Sequence, residues 1–288
     1  MRIANLAGRL VLVAADGSAV DVYGASGGKF EPEPQDVFEV WDEFAGWAAG
    51  MEPDAIEPAH RAPLDVTLLG SPAPEPRQVF AIGLNYVDHA GESGLSVPEQ
   101  PPVFTKFVTS ITGPTGDITL PAGDVDWEVE LVVVIGARAH RVPAARAWEH
   151  MAGLAVGQDL SERRLQLTGP APQFSLGKSH PGFGPIGPVL VTPDELADRD
   201  DLELGCLING QQVQKGRTRD MVFPIAELVQ RLSAVTPLLP GDVIFTGTPA
   251  GVGLGRTPQR FLADGDELVS YVDGIGEMRH RLVAPAEA

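Results

Sequence analysis

A chain of 288 residues can hold one large domain or one domain with a small appendage, and 43% hydrophobic content is enough for a sizeable core. A formal net charge of −18 argues against nucleic acid and anionic membrane surfaces as partners, since phosphate neutralisation needs clustered Lys and Arg, and no apolar stretch is long enough to span a bilayer. The single cysteine, Cys206, permits no internal disulfide, and Met1-Arg2-Ile3-Ala4-Asn5 lacks a signal-peptide core, so a cytoplasmic location is expected.

In chain order, Leu10–Val13, Asp16-Gly17 and Ala19–Tyr23 read as strand, tight turn and strand. Asp36–Ala49 reads as an amphipathic helix, with Val37, Val40, Trp41, Phe44 and Trp47 near helical spacing. A short strand is expected around Val66–Leu69. Ser71-Pro72-Ala73-Pro74-Glu75-Pro76 follows as the best linker segment, which places a small N-terminal α/β domain at 1–72 and a larger domain at 73–288. Beyond Gln78 the chain is dominated by short apolar runs punctuated by Gly and Pro. Val79–Ile82, Leu131–Ile135, Met151–Val156, Val189–Val191, Leu202–Ile208, Val243–Phe245 and Glu267–Val272 are strand candidates, and Ala144–His150 and Pro224–Leu232 the main helical ones. Many short strands with few helices predict a β-rich α+β fold rather than a doubly wound parallel sheet.

Asn85-Tyr86-Val87-Asp88-His89-Ala90-Gly91-Glu92 contains an imidazole and a carboxylate three residues apart. On a helix they share a face, and the carboxylate would orient the ring and raise its basicity, as a water-activating base requires. A casual surface pair is the alternative. The flanking Gly83, Gly91 and Gly94 would suit a lid.

An acidic pair then sits in an apolar strand, Trp127-Glu128-Val129-Glu130-Leu131-Val132-Val133-Val134-Ile135. Strand side chains alternate, so Glu128 and Glu130 point to one face, which is costly unless a cation pairs with them. Asp159, closing the run Met151–Val156 through Gly157-Gln158, is a plausible third member. Three carboxylates suit a hard cation, Mg²⁺, Mn²⁺ or Ca²⁺, better than zinc. A solvated edge strand is the competing account, and the uninterrupted apolar run after Glu130 speaks against it.

Lys178 lies in the Gly/Pro-rich loop Gln173–Pro185 and could stabilise an oxyanion or grip a carboxylate; a solvated lysine is the plain alternative. Gly177-Lys178-Ser179 resembles the end of a phosphate loop, but Pro172 stands where that loop needs glycine. Pro240–Gly253 reads as a strand followed by a tight glycine-rich turn, where Thr248 and backbone amides could bind a carboxylate. Two decoys are set aside. Gly24-Ala25-Ser26-Gly27-Gly28 has nucleophile-elbow spacing without the helix that must follow, and Cys206 reads as a small buried strand residue.

Taken together and in order, these segments resemble the fumarylacetoacetate hydrolase family, including its acylpyruvate hydrolase and 2-hydroxyhepta-2,4-diene-1,7-dioate isomerase-like members. The resemblance covers roughly 78–283 and rests on Asn85-Tyr86…His89…Glu92, Glu128/Glu130, Asp159-Leu160-Ser161-Glu162-Arg163, Gly177-Lys178-Ser179 and Thr246-Gly247-Thr248-Pro249-x-Gly251-Val252-Gly253, with Asn209-Gly210 and Thr218-Arg219-Asp220-Met221 as lesser matches. It implies a mixed β-roll catalytic domain, usually dimeric, with Glu128, Glu130 and Asp159 as Mg²⁺ or Mn²⁺ ligands. It also implies His89 and Glu92 as a water-activating dyad on a lid, Lys178 as oxyanion stabiliser, and Arg163, Gln166 and Thr248 as contacts to a small anionic 2-oxo or 2,4-diketo acid. The implied activity is cleavage of a C–C bond in such an acid. Decarboxylation of oxaloacetate-like acids, isomerisation or hydration of unsaturated 2-oxo diacids, and non-catalytic 2-oxo acid binding are its rivals. Arg164 and His180-Pro181-Gly182 depart from the usual pattern beside the expected substrate contacts.

Overall fold

A computed structural model describes residues 1–51, 58–92 and 96–285. The expected β-rich α+β architecture is the one observed: a large mixed sheet of twelve strands packs against a five-stranded sheet, with a two-stranded ribbon between Val125–Asp126 and Ser161–Glu162. Across the large sheet the order runs Arg61–Pro63, Ser18–Asp21, Arg9–Val13, Arg2–Leu6, Gly184–Val191, Met151–Gln158, Val129–Ile135, Val243–Phe245, Val79–Ile82 and Val103–Thr105. The N-terminal strands join this sheet by antiparallel pairing of Arg2 with Val191 and Ile3 with Leu190. The second sheet runs Gln211–Arg217, Glu203–Ile208, Glu267–Val272, Gly276–Val283 and Thr115–Thr119. Among the described residues no helix is long and apolar enough to cross a membrane.

Val129–Ile135 is buried along its whole length because both of its faces are covered. Leu131, Val133 and Ile135 pack with Leu204, Cys206, Leu268 and Met278 of the second sheet. Val132 and Val134 point the other way, toward Phe245, Phe38, Trp41 and Phe44. Burying each such aromatic contributes roughly 1.5–3 kcal/mol. Alternation continues this second face down the strand to Glu130, and Glu128 shares its parity just before it. The acidic pair therefore sits where the aromatic cover of the sheet gives way to the functional cavity.

Some elements differ from expectation for local reasons. The strand expected at Ala19–Tyr23 ends at Asp21, because the Asp21 side chain accepts a hydrogen bond from Gly24 N and caps a short helix, Val22–Ala25. The predicted strand at Val66–Leu69 is mostly a 3₁₀ turn, Val66–Leu68, capped in the same way by Asp65 on Thr67 N. Ala144–His150 is a 3₁₀ rather than an α-helix, whereas Ile225–Val235 is a full amphipathic α-helix that buries Leu228, Val229 and Leu232. Asp36–Ala49 divides into a 3₁₀ turn, Asp36–Val40, and an α-helix, Trp41–Ala49.

One close approach sets the register beside the acidic pair. Gly157 pairs with Glu130, and a Cβ added to it would lie 2.4 Å from Val132 Cγ2 and 2.9 Å from Phe245 Cε1. Both neighbours belong to fully buried strands, so neither can retreat. Gly157→Ala is expected to destabilise the protein by roughly 1–3 kcal/mol, the ordinary cost of overpacking. Adding Val132→Ala should restore part of the loss, and a denaturant-unfolding double-mutant cycle checks the coupling.

Candidate metal centre and active site

The antiparallel pairing of Val129 with Gln158 carries Asp159 alongside Glu128. Asp159 N donates to Glu128 O at 2.9 Å, and Gln158 Oε1 accepts from Glu128 N at 2.9 Å, locking the two strand ends together. The result is a cluster of Glu128, Glu130 and Asp159, each able to offer one oxygen within 4.8 Å of the others, and all three buried.

Three cations surround this cluster. Lys178 Nζ lies 2.7 Å from Glu128 Oε2 and 2.7 Å from Asp159 Oδ2. Arg163 Nη2 lies 2.7 Å from Glu128 Oε1 and 2.7 Å from Asp126 Oδ2. Lys106 Nζ lies 2.6 Å from Asp159 Oδ1 and also donates to the carbonyl of Lys178. Burial alone would raise the Glu128 carboxyl, but the Lys178 ammonium and then the Arg163 guanidinium hold it at about 2. Burial would likewise depress Lys178, yet Asp159 and Glu128 together keep it above the ordinary lysine range. Lys106 has a single carboxylate partner and no such rescue, so burial lowers it.

Glu130 has no ion-pair partner among these cations. Its Oε2 accepts one hydrogen bond, from Gly247 N at 2.7 Å. Burial, then the charges of Asp159 and Glu128, push it well above the usual carboxylate range. An all-oxygen donor set with one carboxylate uncompensated is what a hard divalent cation fits, and Glu128, Glu130 and Asp159 are the residues that would hold Mg²⁺ or Mn²⁺.

His89 and Glu92 lie on the short helix Val87–Glu92, with His89 Nδ1 2.8 Å from Glu92 Oε1. Asn85 anchors the helix from below, donating to Phe223 O and Thr246 O and accepting from Phe223 N. Glu92 is held from above by Gly251 N, at 2.9 and 3.1 Å to its two oxygens. Gly251 adopts φ +111°, and a Cβ there would lie 2.2 Å from Val213 O, so only glycine can present this amide. With Nδ1 committed to Glu92, Nε2 is the ring nitrogen left for chemistry.

A cavity of about 440 Å³ brings together His89, Glu92, Glu128, Arg163, Gln166, Lys178 and Thr248. Arg163 Nη1 donates to Gln166 Oε1 at 2.9 Å, which turns the Gln166 amide nitrogen free to donate elsewhere. The Thr248 hydroxyl donates to Val129 O and accepts from Gln214 Nε2, both at 2.8 Å, so its proton is already placed. The two departures from the family pattern lie outside this lining. Arg164 is exposed and pairs with Asp124 at 2.8 Å, and the His180 ring packs 5.0 Å from Phe183. Cys206 is buried between the sheets, and burial pushes its thiol far up. In the other decoy, Gly24-Ala25-Ser26-Gly27-Gly28, Ser26 Oγ accepts from Lys29 N and Phe30 N and serves the turn.

Sequence reasoning missed Lys106 and Asp126. Each carried the same signal as the acidic pair, a charge at the end of a short apolar run: Val103-Phe104-Thr105 before Lys106, and Trp127 after Val125-Asp126. Gln214, which also accepts from Val129 N at 3.0 Å, gave no signal in its polar strand.

Residues 78–283 match the family model described as fumarylacetoacetate (FAA) hydrolase, C-terminal. The human protein named oxaloacetate tautomerase FAHD2A, mitochondrial, is 42% identical over 221 residues, 76% of this chain and 70% of that protein. A crystal structure from Mycobacterium smegmatis described as "a putative HpcE protein" is 59% identical with a TM-score of 0.93, covering 99% of this chain and 100% of that one. Maleylpyruvate hydrolase from Sphingobium sp. SYK-6, solved with manganese(II) and pyruvate, is 28% identical with a TM-score of 0.78 over 99% of this chain and 100% of its own. A model matching most of the chain, on the segment that carries the buried carboxylates and the His89–Glu92 pair, makes this protein a member of the fumarylacetoacetate hydrolase family.

Proposed function

We propose that this enzyme is a divalent-metal-dependent hydrolase that cleaves the C3–C4 bond of a 2,4-diketo acid, releasing pyruvate and a carboxylic acid. The observation that carries this is the His89–Glu92 pair, 2.8 Å apart and facing the cavity that also holds Glu128 of the carboxylate cluster. A base held by a carboxylate beside a 2-oxo acid site is what water activation needs. When bound, Mg²⁺ or Mn²⁺ would supply Lewis-acid stabilisation of negative charge at the 2-oxo end of the substrate.

The protein residues account for the remaining steps. Gln166, oriented by Arg163, donates its amide to the acid end. His89 Nε2 takes a proton from water as the water oxygen bonds to C4. Lys178, with two N–H groups on Glu128 and Asp159, has a third to donate to the oxyanion formed at C4. Collapse of that oxyanion breaks C3–C4, and the bonding pair goes to C3. Protonation of C3 from the His89 imidazolium yields pyruvate and returns the base to its starting state.

A second reading, enol–keto tautomerisation of oxaloacetate, draws support from the 42% identity to the human tautomerase. It needs proton transfer but no attacking water. We also propose a homodimer, because the edge strand Val103–Thr105 borders a surface cleft that includes Phe107 and Val108, and Val103, Phe107 and Val108 are all exposed.

Lys178→Ala should lower pyruvate release from an acylpyruvate by on the order of a hundred- to a thousandfold, the usual cost of removing an oxyanion donor. His89→Ala should lose hydrolysis at least as strongly. Wild-type enzyme that clears enol-oxaloacetate absorbance but releases no pyruvate from any 2,4-diketo acid would establish the tautomerase instead.

Glu130→Gln separates metal binding from catalysis. Removing a buried carboxyl whose ionisation burial and the neighbouring acids oppose should raise the melting temperature of the metal-free protein near neutral pH. The same change should abolish most of the stabilisation by Mn²⁺, which for an intact site is about 2.7 kcal/mol at a hundredfold excess over Kd. Thermal melts with and without Mn²⁺ check both signs.

A further inference from the structure

We infer that the substrate carries a single carboxylate and that its tail beyond C4 is apolar, lying along a wall built from Phe104, Phe174 and Leu167. The inference rests on the proposed placement of the 2-oxo acid end at the carboxylate cluster. From there the wall leads outward in measured steps. Lys178 Nζ lies 5.1 Å from the Phe104 ring centroid, and Phe104 lies 5.6 Å edge-on from Phe174. Leu167 is 47% exposed and marks the cavity mouth. Leu84 and Leu254 extend the apolar lining.

No cation is available on this wall for a second carboxylate. Among the described residues, Arg163 and Lys178 are the only Lys or Arg residues lining the cavity, and each already serves two acids: Asp126 and Glu128 for the first, Glu128 and Asp159 for the second. Neighbouring arginines in the chain are turned elsewhere. Arg256 and Arg260 lie over the Trp127 ring at 5.6 and 6.0 Å, Arg256 also donates to Val213 O, and Arg164 is paired with Asp124. No Lys, Arg or His occurs in 52–57, 93–95 or 286–288, outside the described residues. The remaining charge near the wall is of the wrong sign for a diacid, since the Glu92 carboxylate lines the same cavity, held by the His89 ring and the Gly251 amide.

A second carboxylate would therefore enter an apolar wall unpaired, the costliest way to bury a charge.

The test uses matched pairs of 2,4-diketo acids of equal length that differ only in ending with a methyl or a carboxylate group. With the Mn²⁺-loaded enzyme, kcat/KM should be at least about a hundredfold higher for the methyl-ended member and should rise with tail length, as apolar pockets reward added methylenes. Affinities of the same pairs, measured by calorimetry on the Mn²⁺-loaded protein, should show the same order. Leu167→Arg should narrow the gap by tenfold or more. Pyruvate release without discrimination, a preference for the carboxylate-ended acids, or no binding of either member would overturn the assignment of the wall. Discrimination in binding without pyruvate release would overturn the hydrolase reading and leave the wall assignment standing.

Discussion

The removal of three carboxylates from water at the paired ends of two strands is the constraint around which the rest of the site is organised. Isolated, each would abandon its charge, because desolvation costs an ion several kcal/mol even in a relaxed protein interior. The fold answers with Lys178 bridging Glu128 and Asp159, Arg163 bridging Glu128 and Asp126, and Lys106 on Asp159. Those ion pairs stop short of Glu130, which has only the Gly247 amide. Full compensation by protein cations would make a stable ionic core with no function. Leaving one carboxylate over makes a site whose last requirement is a metal.

The same arrangement explains why so much backbone near the site is glycine-dependent. Two strand ends must lie close enough for their acids to converge, and Gly157 permits this where a Cβ would meet Val132. The helix Val87–Glu92 is latched by a group that adds no bulk, the Gly251 amide, which at φ +111° holds Glu92. Glu92 thus has two tasks, orienting His89 and docking the helix that carries it. In the proposed mechanism, movement of that helix away from Gly251 would misplace the His89 base, so water activation depends on the docking of the helix.

The acidic pair was legible because a strand's two-residue period turns adjacent letters into shared geometry, and because charge inside an apolar run demands a reason. The His89–Glu92 spacing was legible by the same token in helical form. Lys106 was not, since Val103–Thr105 is too short a strand to announce itself as buried and a lone lysine after it looks solvated. Asp126 passed unnoticed because its partner Arg163 lies 37 residues away. The pairing of Ile3 with Leu190 was equally hidden, being a tertiary choice between two ordinary strands. The turn at Val66–Leu68 shows propensity failing in the other direction, as a capping Asp65 overrides an apolar run that reads as strand.

Within this site the polar and apolar halves divide the work of recognition. Arg163, Lys106 and Lys178 are each held by two or more partners, so the polar end of the cavity, proposed above to take the 2-oxo acid, has a fixed geometry. The wall of Phe104, Phe174 and Leu167 makes no ion pair and bears none of the cluster's charge balance. Substitutions there can change the tail that is accepted without disturbing the carboxylates, whereas changes at the polar end break a network whose parts depend on one another. In the proposed reading, the charge cluster fixes the 2-oxo acid end of the substrate, while the tail is chosen along a few apolar side chains beside Lys178.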